Sequence, residues 1–369
     1  MGAFSTVYLA QDQTNDSVVA LKIFHTSFTG LAREELGTLK QVSREDRAGA
    51  FGTLKYLTAF KHDRSHAVIV TEALVATDLF ERPTTPTTDQ LISTSGCCPS
   101  HIRQLVYDLT LTLFLFHEKL QRLHGDIKSE NILFSKSTRR FKLIDFGGSI
   151  PFSRLADYYE LFEAFSYLYR PPEILAGIPF TETADVWALG AVVFEACTKA
   201  PLSSALDPVE RLTDFADILG PYPDATFATR KFHQDVQIPL ASSFEDDRPE
   251  FWKHWRTSNL LSRLGIKDSC FASLLAGMLD PNQATRMTSR DILKHPFLEQ
   301  LMPFGPPSIT VSGVKTEDEN EGLTVDKNIE KLVAEMTPIK VRSQNGSTKE
   351  PVATTTTGAS RKRTRKTTV

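Results

Sequence analysis

The chain has 369 residues, 41% hydrophobic and 24% charged, with a formal net charge of −3; at roughly 150 residues per core this length asks for two to three of them. The balance is that of an ordinary soluble globular protein. It excludes collagen, coiled coil, membrane channel and secreted mini-protein, because no apolar run approaches the roughly 18 residues of a membrane span and four cysteines, Cys97 and Cys98 adjacent, make no disulfide framework or metal spacing. Such cysteine usage suits a reducing compartment.

Residues 1–74 read as strands with one helix. Thr6–Ala10, Val18–Phe24, Leu54–Phe60 and Ala67–Thr71 are short β-branched or aromatic runs between polar turns, and Leu31–Val42 carries helix formers at helical spacing. From about residue 100 the pattern turns helical. His101–Leu120 places Ile102, Leu105, Val106, Leu109, Leu113 and Phe116 on one face, and residues 185–197 are apolar nearly all round, as expected of a helix inside a large domain. After Phe297 the periodicity stops. Residues 299–369 are expected to be a disordered tail, with Asp326–Met336 as its one amphipathic stretch. Arg361, Lys362, Arg363, Arg365 and Lys366 end it with five positive charges, which leaves −8 on the rest. A body that acidic is a poor nucleic-acid binder, so no direct nucleic-acid role is expected of it; the basic end resembles a nuclear localisation signal, implying nucleus as well as cytoplasm.

The chemistry concentrates in His124-Gly125-Asp126-Ile127-Lys128-Ser129-Glu130-Asn131, followed nineteen residues after Asp126 by Asp145-Phe146-Gly147. Phosphoryl transfer needs a carboxylate to orient and deprotonate the acceptor hydroxyl, oxygen ligands for Mg²⁺, and a cation on the moving phosphate. Asp126 suits the first role, Asn131 and Asp145 the second, Lys128 the third. Upstream, Lys22 on a strand and Glu35 on the next helix suit a charge-assisted pair that holds a lysine against nucleotide phosphates.

In this order and spacing the segments resemble the eukaryotic protein kinase family. The resemblance extends to Pro171-Pro172-Glu173, to Asp185-Val186-Trp187-Ala188-Leu189-Gly190 and to Arg286. It implies an α+β bilobal fold: a small β-rich lobe over residues 1–74, a larger helical lobe over 75–298, and ATP with Mg²⁺ between them. It further implies adenine held by backbone groups of Glu72 and Leu74 behind a Thr71 gatekeeper and sandwiched by Val7, Ala20 and Leu133, a Glu173–Arg286 pair, Asp185 bracing the catalytic loop, and Ser166 bonded to Asp126 and Lys128. Tyr169-Arg170 and Ile218-Leu219-Gly220-Pro221-Tyr222-Pro223 resemble the CMGC group, and Ile127-Lys128 leans towards its SR-protein-kinase, CLK and DYRK-like branches. A monomeric serine/threonine kinase without a membrane role is expected. A scaffold that binds partners without transferring phosphate, and a small-molecule kinase of related fold, stand as alternatives.

Three departures qualify the resemblance. Gly2-Ala3-Phe4-Ser5-Thr6-Val7 matches only the second half of the phosphate-covering loop, so residues upstream of Met1 are expected, the alternative being a lost edge strand and part of the ATP lid; Gly2 is assigned to that loop rather than to acylation, although Met1-Gly2 with Thr6 fits the acylation pattern formally. Gly125 replaces the arginine that receives an activation-loop phosphate in many kinases, and Leu161 and Glu163 stand where relatives carry modifiable residues. Activity independent of loop phosphorylation is therefore expected. Finally, Glu245, Asp246, Asp247 and Glu250 form an acidic insert suited to basic or Arg/Ser-rich protein substrates, or else a solvated loop.

Overall fold

The structure is a computed structural model, which describes residues 4–63, 65–76, 99–159, 165–234, 237–244 and 248–301. Gly2, Leu161, Glu163, the acidic residues 245–247 and the tail beyond Leu301 lie outside the described residues.

The first lobe is an antiparallel sheet backed by one helix. Strands β1 (Ser5–Gln11) and β2 (Val18–Phe24) are followed by helix α1 (Thr29–Glu45) and then by β3 (Tyr56–His62) and β4 (His66–Glu72), with spatial order β1-β2-β4-β3. Val7 faces Lys22, Lys22 faces Ile69, and Ala20 faces Thr71. Because side chains alternate along a strand, Val7, Ala20, Lys22, Ile69 and Thr71 share one face. Ala10, Val19, Leu21, Phe60, Val68 and Val70 form a separate cluster on the other. Helix α1 buries Ala32, Leu36, Leu39 and Val42 at helical spacing. Glu35 lies on that buried stripe at 5% exposure, so its carboxylate requires a partner.

A second, three-stranded sheet lies below. β5 (Val75–Ala76) pairs with β7 (Ile132–Ser135), which pairs with β8 (Arg140–Leu143). Between them in sequence come α2 (Pro99–Phe114) and β6 (Arg122–Leu123), and β6 pairs with β9 (Ile150–Pro151). The periodicity that suggests a single α-helix to Leu120 is interrupted, because Leu115–Lys119 is a π turn closed by Leu120 N–H on the Leu115 carbonyl. The wider turn buries Leu115, Phe116 and His117 together.

The second lobe continues through α3 (Pro172–Leu175), α4 (Thr183–Thr198), α5 (Pro208–Leu219), α6 (Asp224–Phe227), α7 (Pro249–Leu264), α8 (Ser269–Met278) and α9 (Ser289–Leu293). Three of these helices begin where polar side chains satisfy the free amides. Asp207 caps α5 ahead of Pro208, Asp268 caps α8, and Thr288 with Asp291 forms a reciprocal capping box on α9. α4 is the central helix, with Trp187 fully buried against Phe215. Among the described residues no helix is long and apolar enough to cross a membrane.

Candidate active site

The lower wall of the site is the loop from His124 to Asn131, and α4 holds it. Asp185, with no exposed surface, accepts the His124 amide at 2.7 Å and the Gly125 amide at 3.0 Å, while His117 from the π turn donates Nε2 to the same carboxylate at 3.0 Å. Three donors on one buried carboxylate fix the loop backbone. The loop then presents Asp126. Its Oδ1 accepts Ser166 Oγ at 2.6 Å, and its Oδ2 accepts Lys128 Nζ at 2.7 Å and Asn131 Nδ2 at 3.0 Å. Asn131 Nδ2 also bonds the Asp126 carbonyl at 2.8 Å, and Lys128 reaches Ser166 Oγ at 3.2 Å.

The upper wall centres on Lys22. Its ammonium donates to Glu35 Oε1 and Oε2 at 2.9 and 2.7 Å and to Asp145 Oδ1 at 2.8 Å. Burial works against the charge on Lys22, but the two carboxylates outweigh it and hold the ammonium above its ordinary value. Burial raises Glu35, and the nearby Asp145 adds to that shift. Burial also opposes ionisation of Asp145, yet Lys22 more than offsets it and leaves this carboxyl below its usual range. Asp145 occupies the left-handed region at φ 65°, which turns the chain so that Phe146 plunges inward. The Phe146 ring lies 5.1 Å from Phe116 and 5.6 Å from His124. Burial lowers the His124 imidazole below its ordinary value and favours its neutral form.

Between the walls the residues fit MgATP. Asn131 turns its amide nitrogen onto Asp126, and its Oδ1 has no hydrogen-bond donor among the described residues; with the Asp145 carboxylate this is the hard-oxygen donor set that Mg²⁺ takes. Val7 is 49% exposed on the cleft face of the sheet, an apolar surface left bare for a flat ring, with Ala20 and Leu133 partly buried. Glu72 has a further part that sequence reasoning missed. Its carboxylate accepts buried Lys142 at 2.5 Å and the Lys55 amide at 2.7 Å, tying the strand leading to Leu74 into both sheets.

Next to Asp126 lies a loop whose contacts the motifs did not announce. Phe165 is held at φ 65° with its carbonyl accepting Arg170 Nη2 at 2.8 Å. The Tyr167 ring lies against the guanidinium groups of both Arg170 and Arg211, 5.4 and 4.2 Å away. The Tyr169 hydroxyl donates to Glu195 on α4 at 2.7 Å and lies 2.7 Å from Ser129 Oγ. Burial raises this phenol, keeping it a donor. Local pattern carries none of these long-range pairings.

A strand-bound lysine clamped by two carboxylates, facing a third carboxylate ordered by lysine, asparagine and serine, belongs to the bilobal phosphotransferases. Residues 1–298 match the protein kinase domain family, and the chain belongs to it. Among similar curated proteins, the dual specificity tyrosine-phosphorylation-regulated kinase mbk-2 of Caenorhabditis elegans is 29% identical over 83% of this chain and 38% of its own length. Dual specificity tyrosine-phosphorylation-regulated kinase 3 of Mus musculus is 26% identical over 82% and 53%, and the serine/threonine-protein kinase ppk5 of Schizosaccharomyces pombe is 28% identical over 80% and 34%. The chain thus spans a third to a half of the length of these relatives, which include the DYRK branch of the CMGC group suggested by the sequence. A crystal structure of a kinase domain superposes with a TM-score of 0.63 at 21% identity, covering 81% of this chain and 92% of that one, and shares the fold.

Proposed function

We propose that the chain is a protein serine/threonine kinase that transfers the γ-phosphoryl group of ATP to hydroxyls of protein substrates. The observation that carries this reading is the Asp126 network facing the Lys22–Glu35–Asp145 cluster. MgATP, when bound, supplies the phosphoryl group and the charge neutralisation on it. Asp145 and Asn131 would hold the metal, and Lys22 the nucleotide phosphates. Asp126 orients the incoming hydroxyl and takes its proton, while Lys128 places a positive charge where negative charge develops. Nothing among the described residues favours the partner-binding scaffold, since all five of these side chains and Glu35 stand in bonded, mutually consistent positions.

Three finer points belong to the same proposal. The substrate is basic, as suggested by exposed Glu130 and by Glu195 around Tyr169 and by the −8 charge of the chain without its basic end. Activity does not need a phosphorylated loop, because Gly125 offers no cation and Arg170 is taken up by the Phe165 carbonyl and the Tyr167 ring. The terminal basic run directs the protein to the nucleus as well as the cytoplasm.

Transfer of labelled phosphate from ATP to basic and neutral serine/threonine peptides tests the reading, wild type beside Asp126→Asn. Wild type should transfer and Asp126→Asn should fall by at least about a hundredfold in kcat with little change in KM. Equal silence of both would overturn it. Retained transfer after phosphatase treatment supports the phosphorylation-independent loop, and its loss refutes that point alone.

A further inference from the structure

A cavity of about 140 Å³ opens on the α1 side of the sheet, between the first two turns of α1 and the β3–β4 hairpin, away from the cleft contacts described above. Ala32, Leu36, Ala59 and Ala67 give it an apolar floor. Arg33 and Lys61 stand exposed at its mouth, and neither has an ion-pair or hydrogen-bond partner among the described residues. No acidic side chain lines it. An apolar floor with an uncompensated cationic mouth is complementary to an apolar side chain that follows carboxylates, and not to either one alone.

The chain carries such a segment itself. Glu317, Asp318, Glu319 and Glu321 are followed, after Gly322, by Leu323 and Val325. We infer that residues 317–325 dock in this cavity, with Leu323 on the apolar floor and the acidic run against Arg33 and Lys61. Reach permits it. Leu301 ends the turn Pro296–Leu301, which is tied to the first turns of α2 through Arg103 and the Phe297 carbonyl, whereas Phe114 at the other end of α2 stacks on Phe51 in the cluster that contains Ala32 and Leu36. One helix of 16 residues, about 24 Å, therefore separates the departure point from the first lobe. Residues 302–316 span up to about 50 Å when extended. A tether of that length supplies an effective concentration on the order of millimolar, so weak contacts suffice. The docked segment would brace the helix that carries Glu35, between Ala32 and Leu36.

Hydrogen exchange on the full chain without nucleotide tests this independently of any catalytic activity. Amides of 317–325 should exchange about tenfold or more slowly than in a synthetic peptide of that sequence. Arg33→Glu with Lys61→Glu should abolish the protection, and adding Glu317→Lys, Asp318→Lys and Glu319→Lys should restore it. Restoration distinguishes lost docking from misfolding. Exchange at the free-peptide rate in the wild type, protection that survives the charge reversal, failure of the compensating change to restore it, or protection that grows with protein concentration would each overturn docking within the chain.

Discussion

Gly125 sits at φ +78°, and a Cβ built there would meet the Gly148 carbonyl oxygen at 2.5 Å. The absent arginine at this position is therefore also a matter of local space: backbone from two motifs, the catalytic loop and Asp145-Phe146-Gly147-Gly148, touches where a side chain would begin. Gly125→Ala should cost on the order of 1–3 kcal/mol in a denaturant melt and lower kcat by shifting Asp126. His124 yields a pH prediction. Burial depresses its folded pKa below the ordinary 6.5, so the unfolded chain binds the extra proton, and stability is present above that value and falls as pH drops through it. Unfolding free energy should decline towards pH 5 with a slope of up to about 1.4 kcal/mol per pH unit from this group. His124→Gln should remove that component of the slope in parallel melts.

A buried pair, Glu173 with Arg286, joins elements in the second lobe. Glu173 on α3 accepts Arg286 Nη1 at 2.6 Å and Nη2 at 2.9 Å, with both side chains essentially without exposed surface. Arg286 also donates to the Thr183 and Asp280 carbonyls and lies over the Trp187 ring, which links α3, α4 and the approach to α9. Arg286→Ala leaves Glu173 buried and unpaired and should cost about 3–5 kcal/mol. Combining it with Glu173→Ala should cost less than the sum of the singles, since the stranded charge is then removed. Thermal melts of the three variants check this. The π turn after α2 acts at the same scale. A regular α turn there would rotate His117 away from Asp185, and the catalytic loop would lose one of the three donors on its anchoring carboxylate.

Across the whole molecule, charge separates the body from the chain end, and long-range attraction of a basic substrate to an acidic surface weakens as salt shortens the screening length. The KM for a basic peptide should rise about threefold or more between roughly 0.05 and 0.3 M salt, with kcat unchanged. A neutral peptide serves as control, and an equal response from both would remove charge complementarity as the basis of selection. The large-scale division was legible in advance, because strand alternation and helical period are local rules: three of the four expected first-lobe strands agree to within one residue at each end, and α1 contains the expected Leu31–Val42. The fourth, expected at Leu54–Phe60, starts two residues later at Tyr56 and runs on to His62.

By itself the sequence determined the motif order and therefore the family, along with the clustering of Asp126, Lys128 and Asn131, which lie within six residues and need only one loop to meet. Lys22, Glu35 and Asp145 were identifiable as a set through resemblance, although their meeting spans 123 residues and depends on the lobes closing one cleft. Only the tertiary structure decided that Asp185 collects His117 as well as the loop amides, that the Glu72 carboxylate binds Lys142, that Arg170 holds Phe165 in a left-handed conformation, and that Arg33 and Lys61 flank an apolar cavity with no partner among the described residues. The reason is physical. Periodicity reports which face of an element is buried, whereas the partner of a buried or stranded charge is set by packing between elements that are distant in the chain.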